Sequence, residues 1–210
     1  MEKNQWNGKL WYAYGTSMTS IECGRYVPIV KDMSGMTVVN KGIPGGSLTP
    51  DGFGKGNVTR AVMTLDDGKA DADLITLEVL PNESGSIGEL YDTGDSTFSG
   101  CFNQCLRYLQ QNTKARIVVI IMITGNNILP DEKFEGKPCT EFEFAEKIER
   151  IARLNSVPVI NVFTESGLGF AKAGTGKFQL DNIHLNDLGG KNIGKFVWSK
   201  LKDIPTWDEE

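Results

Sequence analysis

Histidine is almost absent from this chain: His184 is the only one among 210 residues. The four cysteines, at positions 23, 101, 105 and 139, form no Cys-x-x-Cys pair, so a zinc site is not expected. They are expected to be free and mostly buried thiols, the alternative being a disulfide through Cys23 or Cys139. Positive charge is also scarce. Lys and Arg number 22 against 27 Asp and Glu, the net charge is −5, and no run of basic residues occurs, which argues against a nucleic-acid surface. The longest apolar run, residues 117–123, is far shorter than the roughly 20 residues that cross a bilayer, so no membrane span is expected. The opening residues are polar and carry no secretory signal pattern. The chain is therefore expected to be cytoplasmic or an excised domain of a secreted, surface or phage protein.

What is present is ordinary for a globular protein: 40% hydrophobic and 23% charged residues, in a length that can bury a large core. Strands are expected at residues 9–14, 37–40, 73–80, 116–123 and 158–163. The fourth is the richest in β-branched side chains and belongs at the centre of a sheet. Helices are expected at 21–33, 57–65, 99–112, 140–155 and 188–201, with Asn57 as an N-cap. Within 99–112, Cys101, Phe102, Cys105, Leu106 and Leu109 recur at helical spacing, and Phe144, Ile148, Ile151 and Ala152 do so in 140–155. Strands alternating with helices predict parallel crossovers and a sheet covered on both faces, hence one three-layer α/β (αβα) domain over residues 1–210.

Ligands of open α/β sheets bind beyond the carboxyl ends of the strands. Ser17 follows the first strand, Gly45 the second, Asn82 the third and the Asp181–His184 segment the fifth, so topology predicts that these groups converge on one edge. Each has a plain structural alternative. Thr16 and Ser17 are also typical helix caps, the glycine-rich loop from Asn40 to Ser47 could be a simple turn, and Asn82 could be a turn asparagine. The chemistry is nonetheless specific. A serine at a strand-to-helix turn can stand clear of the sheet, a glycine loop lets backbone N–H groups approach a ligand, and an asparagine amide is a further donor. Asp181-x-x-His184 lets a carboxylate reach Nδ1–H and leave Nε2 facing the serine. Asp187 is the rival acid, although a place at the start of the last helix already accounts for it.

In this order and spacing the four elements resemble the SGNH hydrolase superfamily, the GDSL esterase/lipase family, over residues 9–200. Ser17 in Gly15-Thr16-Ser17 matches the nucleophile, Gly45 the glycine of the second segment, Asn82 the asparagine that closes the third strand, and His184 the base. Two segments depart from the family pattern: Thr16 stands where an aspartate is usual, and Leu80-Pro81-Asn82-Glu83 stands where Gly-x-Asn-Asp is usual. Neither removes a group that would act directly, but both fall on the hydrogen-bond support around Ser17 and Asn82.

The resemblance implies a flavodoxin-like sheet of five parallel strands. It also implies hydrolysis of a carboxylic ester through an acyl-serine intermediate, without metal or cofactor. Ser17, Asp181 and His184 would be catalytic, and Ser17, Gly45 and Asn82 would form the oxyanion hole. Trp6-x-Gly8-Lys9-x-Trp11 resembles the lead-in of SGNH domains in bacterial surface or phage tail proteins. The polar, glycine-rich stretches 51–57, 131–137 and 167–176 favour a small-molecule or carbohydrate ester, with a short acyl group such as acetyl, over a lipid. Two other functions compete. One is a non-catalytic carbohydrate-binding or tail-associated module of the same fold. The other is a nucleotide or phosphate binder, for which the chain lacks both Gly-x-x-x-x-Gly-Lys-[Ser/Thr] and Gly-x-Gly-x-x-Gly.

Overall fold

The computed structural model describes residues 4–50, 56–64, 67–80, 82–83, 85–122, 139–168, 176–181 and 183–207. Five strands, β1 (Leu10–Gly15), β2 (Thr37–Gly42), β3 (Leu74–Val79), β4 (Arg116–Ile121) and β5 (Val159–Asn161), form one sheet in the order β2-β1-β3-β4-β5. Every pairing is parallel. Helices α1 (Tyr26–Ser34), α2 (Val58–Val62), α3 (Phe98–Asn112), α4 (Glu141–Leu154), α5 (Val162–Glu165) and α6 (Asp187–Leu201) lie between and after the strands.

Alternation along the strands feeds two separate cores. Tyr12, Tyr14, Ile75, Leu77, Ile117, Val119 and Ile121 point to the side covered by α2, α3 and α4. Trp11, Ala13, Leu74, Val118, Ile120 and Ile160 point to the side covered by α1 and α6. A sheet buried on both faces explains why the strands read as continuous apolar runs. Trp6 and Trp11 of the lead-in are fully buried in the second core, their indole N–H groups bonded to Leu201 O and Thr76 Oγ1. Packing accounts for both.

Local chemistry sets the helix starts. Asn57 caps α2 by accepting from Arg60 N at 2.7 Å, and Thr140 and Glu143 close a reciprocal capping box on α4. Several boundaries differ from the sequence expectation: the second strand runs on to Gly42, the second helix stops at Val62, and two further differences have clear local causes. The first helix begins at Tyr26 rather than residue 21, because Gly24 N–H donates to Ser20 O and closes a further turn before it. The fifth strand ends at Asn161 rather than 163, because the Asn161 side chain accepts from Thr164 N and starts α5. The tail of the fourth strand at residue 123 lies outside the described residues.

The packing of α1 on α6 brings distant parts of the chain together. A Cβ at Gly190 would sit 2.3 Å from Arg25 Cβ, and one at Gly194 would sit 2.6 Å from Ile29 Cβ, so only glycine permits this approach. Because α1 follows Ser17 and α6 follows His184, that contact draws the two connecting segments together. The ion pair between Arg25 and Asp187, at 3.3 Å, joins the starts of both helices.

Candidate active site

Ser17 sits two residues past the end of β1, in a tight turn where Thr19 N and Ser20 N both donate to Thr16 O at 3.1 Å. Neither Thr16 nor Ser17 caps α1, whose N-cap Arg25 makes no side-chain capping bond. The turn is stitched from below by Glu78 on β3. Its carboxylate accepts from Thr16 N at 2.8 Å, from the Thr16 hydroxyl at 3.0 Å and from the Thr19 hydroxyl at 3.1 Å. Glu78 is fully buried, and burial pushes its pKa up to about 7 against the pull of those donors.

His184 lies between β5 and α6. Its Nε2 is 3.0 Å from Ser17 Oγ, and its Nδ1 is 2.7 Å from Asp181 Oδ2. Asp181 Oδ1 also accepts from the backbone N–H groups of His184, at 2.7 Å, and Ile183, at 3.1 Å. Partial burial would raise the Asp181 pKa, but these bonds outweigh it and hold the carboxyl below the usual carboxylate range. With Asp181 taking the Nδ1–H, the imidazole presents an Nε2 lone pair to the serine. Asp187 is absent from this arrangement. It pairs with Arg25, while Asn186 caps α6 by accepting from Gly189 N.

The second loop is built as a turn. Gly46 N donates to Ile43 O at 2.8 Å, Pro44 occupies the second position, and Gly45 has φ of +67°, which favours glycine. The loop is fixed from β3. Asn82 Nδ2 donates to Gly46 O at 2.9 Å, and Glu83 accepts from Leu48 N at 2.7 Å, from Thr49 N at 3.0 Å and from the Thr49 hydroxyl. Asn40 ties the same loop to the serine turn through Thr19 O, at 2.6 Å. Among the described residues nothing accepts from the N–H of Ser17 or of Gly45.

The predicted residues Ser17, Asp181 and His184 are thus joined in one hydrogen-bonded line, and Gly45 and Asn82 are linked through Gly46. Sequence reasoning missed Glu78 altogether, and missed that Asn40 and Glu83 anchor the loops. A carboxylate inside the wholly buried β3 was the available signal for Glu78. Both departures from the family pattern have physical partners: Thr16 donates to Glu78, and Glu83 keeps a carboxylate beside Asn82. Of the expected polar rim, residues 51–55, 131–137 and 169–175 lie outside the described residues.

All four cysteines are free. Burial pushes Cys101 up to about 11 and Cys105 to about 12, so both stay protonated thiols at neutral pH. Among the described residues no group of three His, Cys, Asp or Glu side chains could hold a metal ion, and no helix is long and apolar enough to cross a membrane.

No protein-family model matches the sequence, and no curated protein matches it significantly. Solved structures do. A protein from Lactobacillus plantarum superposes with a TM-score of 0.76 at 21% identity, over 93% of this chain and 97% of that one. The acetyl xylan esterase AlAXEase matches with a TM-score of 0.65 at 16% identity, covering 91% and 99%. Est24, a carbohydrate acetylesterase from Sinorhizobium meliloti, matches with a TM-score of 0.61 at 14% identity, covering 92% and 98%. At these identities the likeness is one of fold, and it is the α/β fold that the SGNH/GDSL resemblance implied.

Proposed function

We propose that the protein is a serine esterase that hydrolyses a carboxylic ester, a short acyl group such as acetyl on a carbohydrate, through an acyl-Ser17 intermediate. The observation that carries this reading is the unbroken line Asp181–His184–Ser17, with contacts of 2.7 and 3.0 Å. In this reading Ser17 Oγ attacks the ester carbonyl carbon while His184 Nε2 takes its proton. Asp181 keeps the imidazole in the required tautomer and stabilises the imidazolium. The N–H groups of Ser17 and Gly45 and the second amide hydrogen of Asn82 donate to the oxyanion. Collapse expels the alcohol, protonated by His184. A water then gives its proton to the same nitrogen and attacks the acyl carbon, and on collapse His184 returns that proton to Ser17 Oγ as the acid leaves.

The acetyl-carbohydrate preference draws its support from the named activities of two of the fold neighbours. The departures at Thr16 and Glu83 would favour a non-catalytic module of the same fold, but both side chains are bonded into the loops that carry the site.

The test compares the wild type with Ser17→Ala, His184→Ala and the double variant on p-nitrophenyl esters of increasing acyl length and on acetylated xylo-oligosaccharides. Groups that act as a unit lose activity non-additively, so each single variant should fall about 10⁴-fold or more, with the double variant no worse. The acetyl ester should be the best of the series. Full activity in either single variant would overturn the assignment.

A further inference from the structure

Below the serine turn lies a carboxylate that the hydrolytic steps do not use. Three observations place it. Glu78 projects from β3, buried to 1% exposure, and among the described residues no cation pairs with it. All its hydrogen-bond donors come from the turn, namely Thr16 N, Thr16 Oγ1 and Thr19 Oγ1. The chain passes directly over it, since a Cβ at Gly15 would lie 2.5 Å from Glu78 Oε2 and 2.7 Å from Thr19 Oγ1.

From α1 the fully buried Tyr26 faces the same cluster, with its hydroxyl 3.0 Å from Thr19 Oγ1. If Thr19 gives its proton to Glu78, Tyr26 must give its own to Thr19. The protons then run in one direction, from Tyr26 through Thr19 to the carboxylate. Thr16 fits this arrangement because it donates, whereas an acid at that position would face Glu78 as a like charge.

Resting on the esterase reading above, we propose that Glu78 is a positioning residue for Ser17: its ionised carboxylate holds the turn 16–20 in the geometry that aims Oγ at His184. Ionised, it can accept from all three donors at once. Protonated, it has a hydrogen of its own to donate, and the acceptor beside Oε1 is the Thr16 hydroxyl at 3.2 Å, so the Thr16 contact there reverses. Because burial places this titration near neutrality, the turn responds to pH. The group facing Glu78 from α1 is Tyr26, whose own pKa is raised by burial and by Glu78, so it stays a donor throughout.

The effect on stability has the opposite sign. A carboxyl whose pKa is raised on folding stabilises the fold below its ordinary value of 4.5, and that contribution is lost as pH rises through about 7. The state that aims the serine is therefore the less stable one.

Glu78→Gln, which keeps the size and removes the charge, is compared with wild type across pH in kcat and KM on p-nitrophenyl acetate, in Tm, and in exchange of the Thr16 amide read by NMR relative to its intrinsic rate. The expected outcome is kcat lower by about ten- to a hundredfold with KM unchanged, as for a misplaced reacting group. The variant should also lose the wild-type change in Thr16 protection near pH 7, together with the fall of Tm through that range. Wild-type kcat in Glu78→Gln, whatever its Tm, would overturn the proposal. Should that variant not fold, Thr19→Val removes one donor and the link to Tyr26 while keeping the carboxylate, and unchanged kcat there would be equally fatal. Thr16 exchange needs no substrate. An inactive wild type would therefore count against the esterase reading alone, while pH-independent protection of Thr16, identical in Glu78→Gln, would count against Glu78.

Discussion

On the Ser17 side of the site the support is a buried carboxylate whose donors, among the described residues, all come from the serine turn; on the His184 side it is Asp181, whose side chain is 54% exposed. Glu78 has its pKa raised by burial. Asp181 has its pKa lowered by the imidazole and two backbone N–H groups. Their linkage to stability runs in opposite directions. The Glu78 contribution disappears as pH rises through about 7, whereas the Asp181 contribution is present above its unfolded pKa and is lost as pH falls through the folded one. Two acids, one bonded to His184 and the other to the turn that carries Ser17, thus favour opposite ends of the pH range. The lesson is that the donors available decide what a carboxylate does. In the proposed reading, one that meets a ring N–H at the surface orients a base, while one bonded to a turn in the core fixes a backbone.

Substitutions sharpen that contrast, and the largest effect is expected at the exposed acid. Asp181→Asn should lower kcat/KM on an aryl acetate by about four orders of magnitude, because the amide no longer selects the tautomer that leaves Nε2 free. A loss of only a few fold would mean that Asp181 is a turn residue and would remove the contrast altogether. Next comes Asn82→Ala. As a transition-state donor Asn82 contributes on the order of a hundredfold to kcat with little change in KM. Its existing bond to Gly46 O also predicts a lower Tm, so intact kcat with lowered Tm would reassign it as a loop anchor. The smallest effect should be at Asp187, which meets Arg25 at the surface and not the imidazole. Asp187→Asn should leave kcat/KM within about a factor of two, as exposed ion pairs contribute little. A larger loss there than at Asp181 would identify the wrong acid.

Much of the fold was legible because parallel strands buried on both faces leave a plain signal, as the runs at residues 74–79 and 116–121 do. That Ser17, Asp181 and His184 meet was legible for a related reason: in this topology a polar motif just past a strand has only one edge to occupy, and a sole histidine left one candidate for a base. Local pattern failed where long-range contacts decide. Ile21 read as the start of a helix but is 83% exposed, because the chain first spends residues 16–24 on the serine turn. The role of Glu78 depends on Thr16 and Thr19, about sixty residues away, and no spacing rule joins them. The same holds for Glu83, whose partners Leu48 and Thr49 are reached only across the site.

The central claim is that Ser17, activated by His184, is the nucleophile. Its most direct test is to react the protein with a fluorophosphonate, an acyl-group mimic that stays attached to an activated serine, and to map the modified peptide by mass spectrometry while following aryl acetate hydrolysis. One adduct per chain is expected, on Ser17, formed in step with loss of activity and abolished in His184→Ala. An adduct on any other residue, or full hydrolysis by protein whose Ser17 is completely modified, would contradict it.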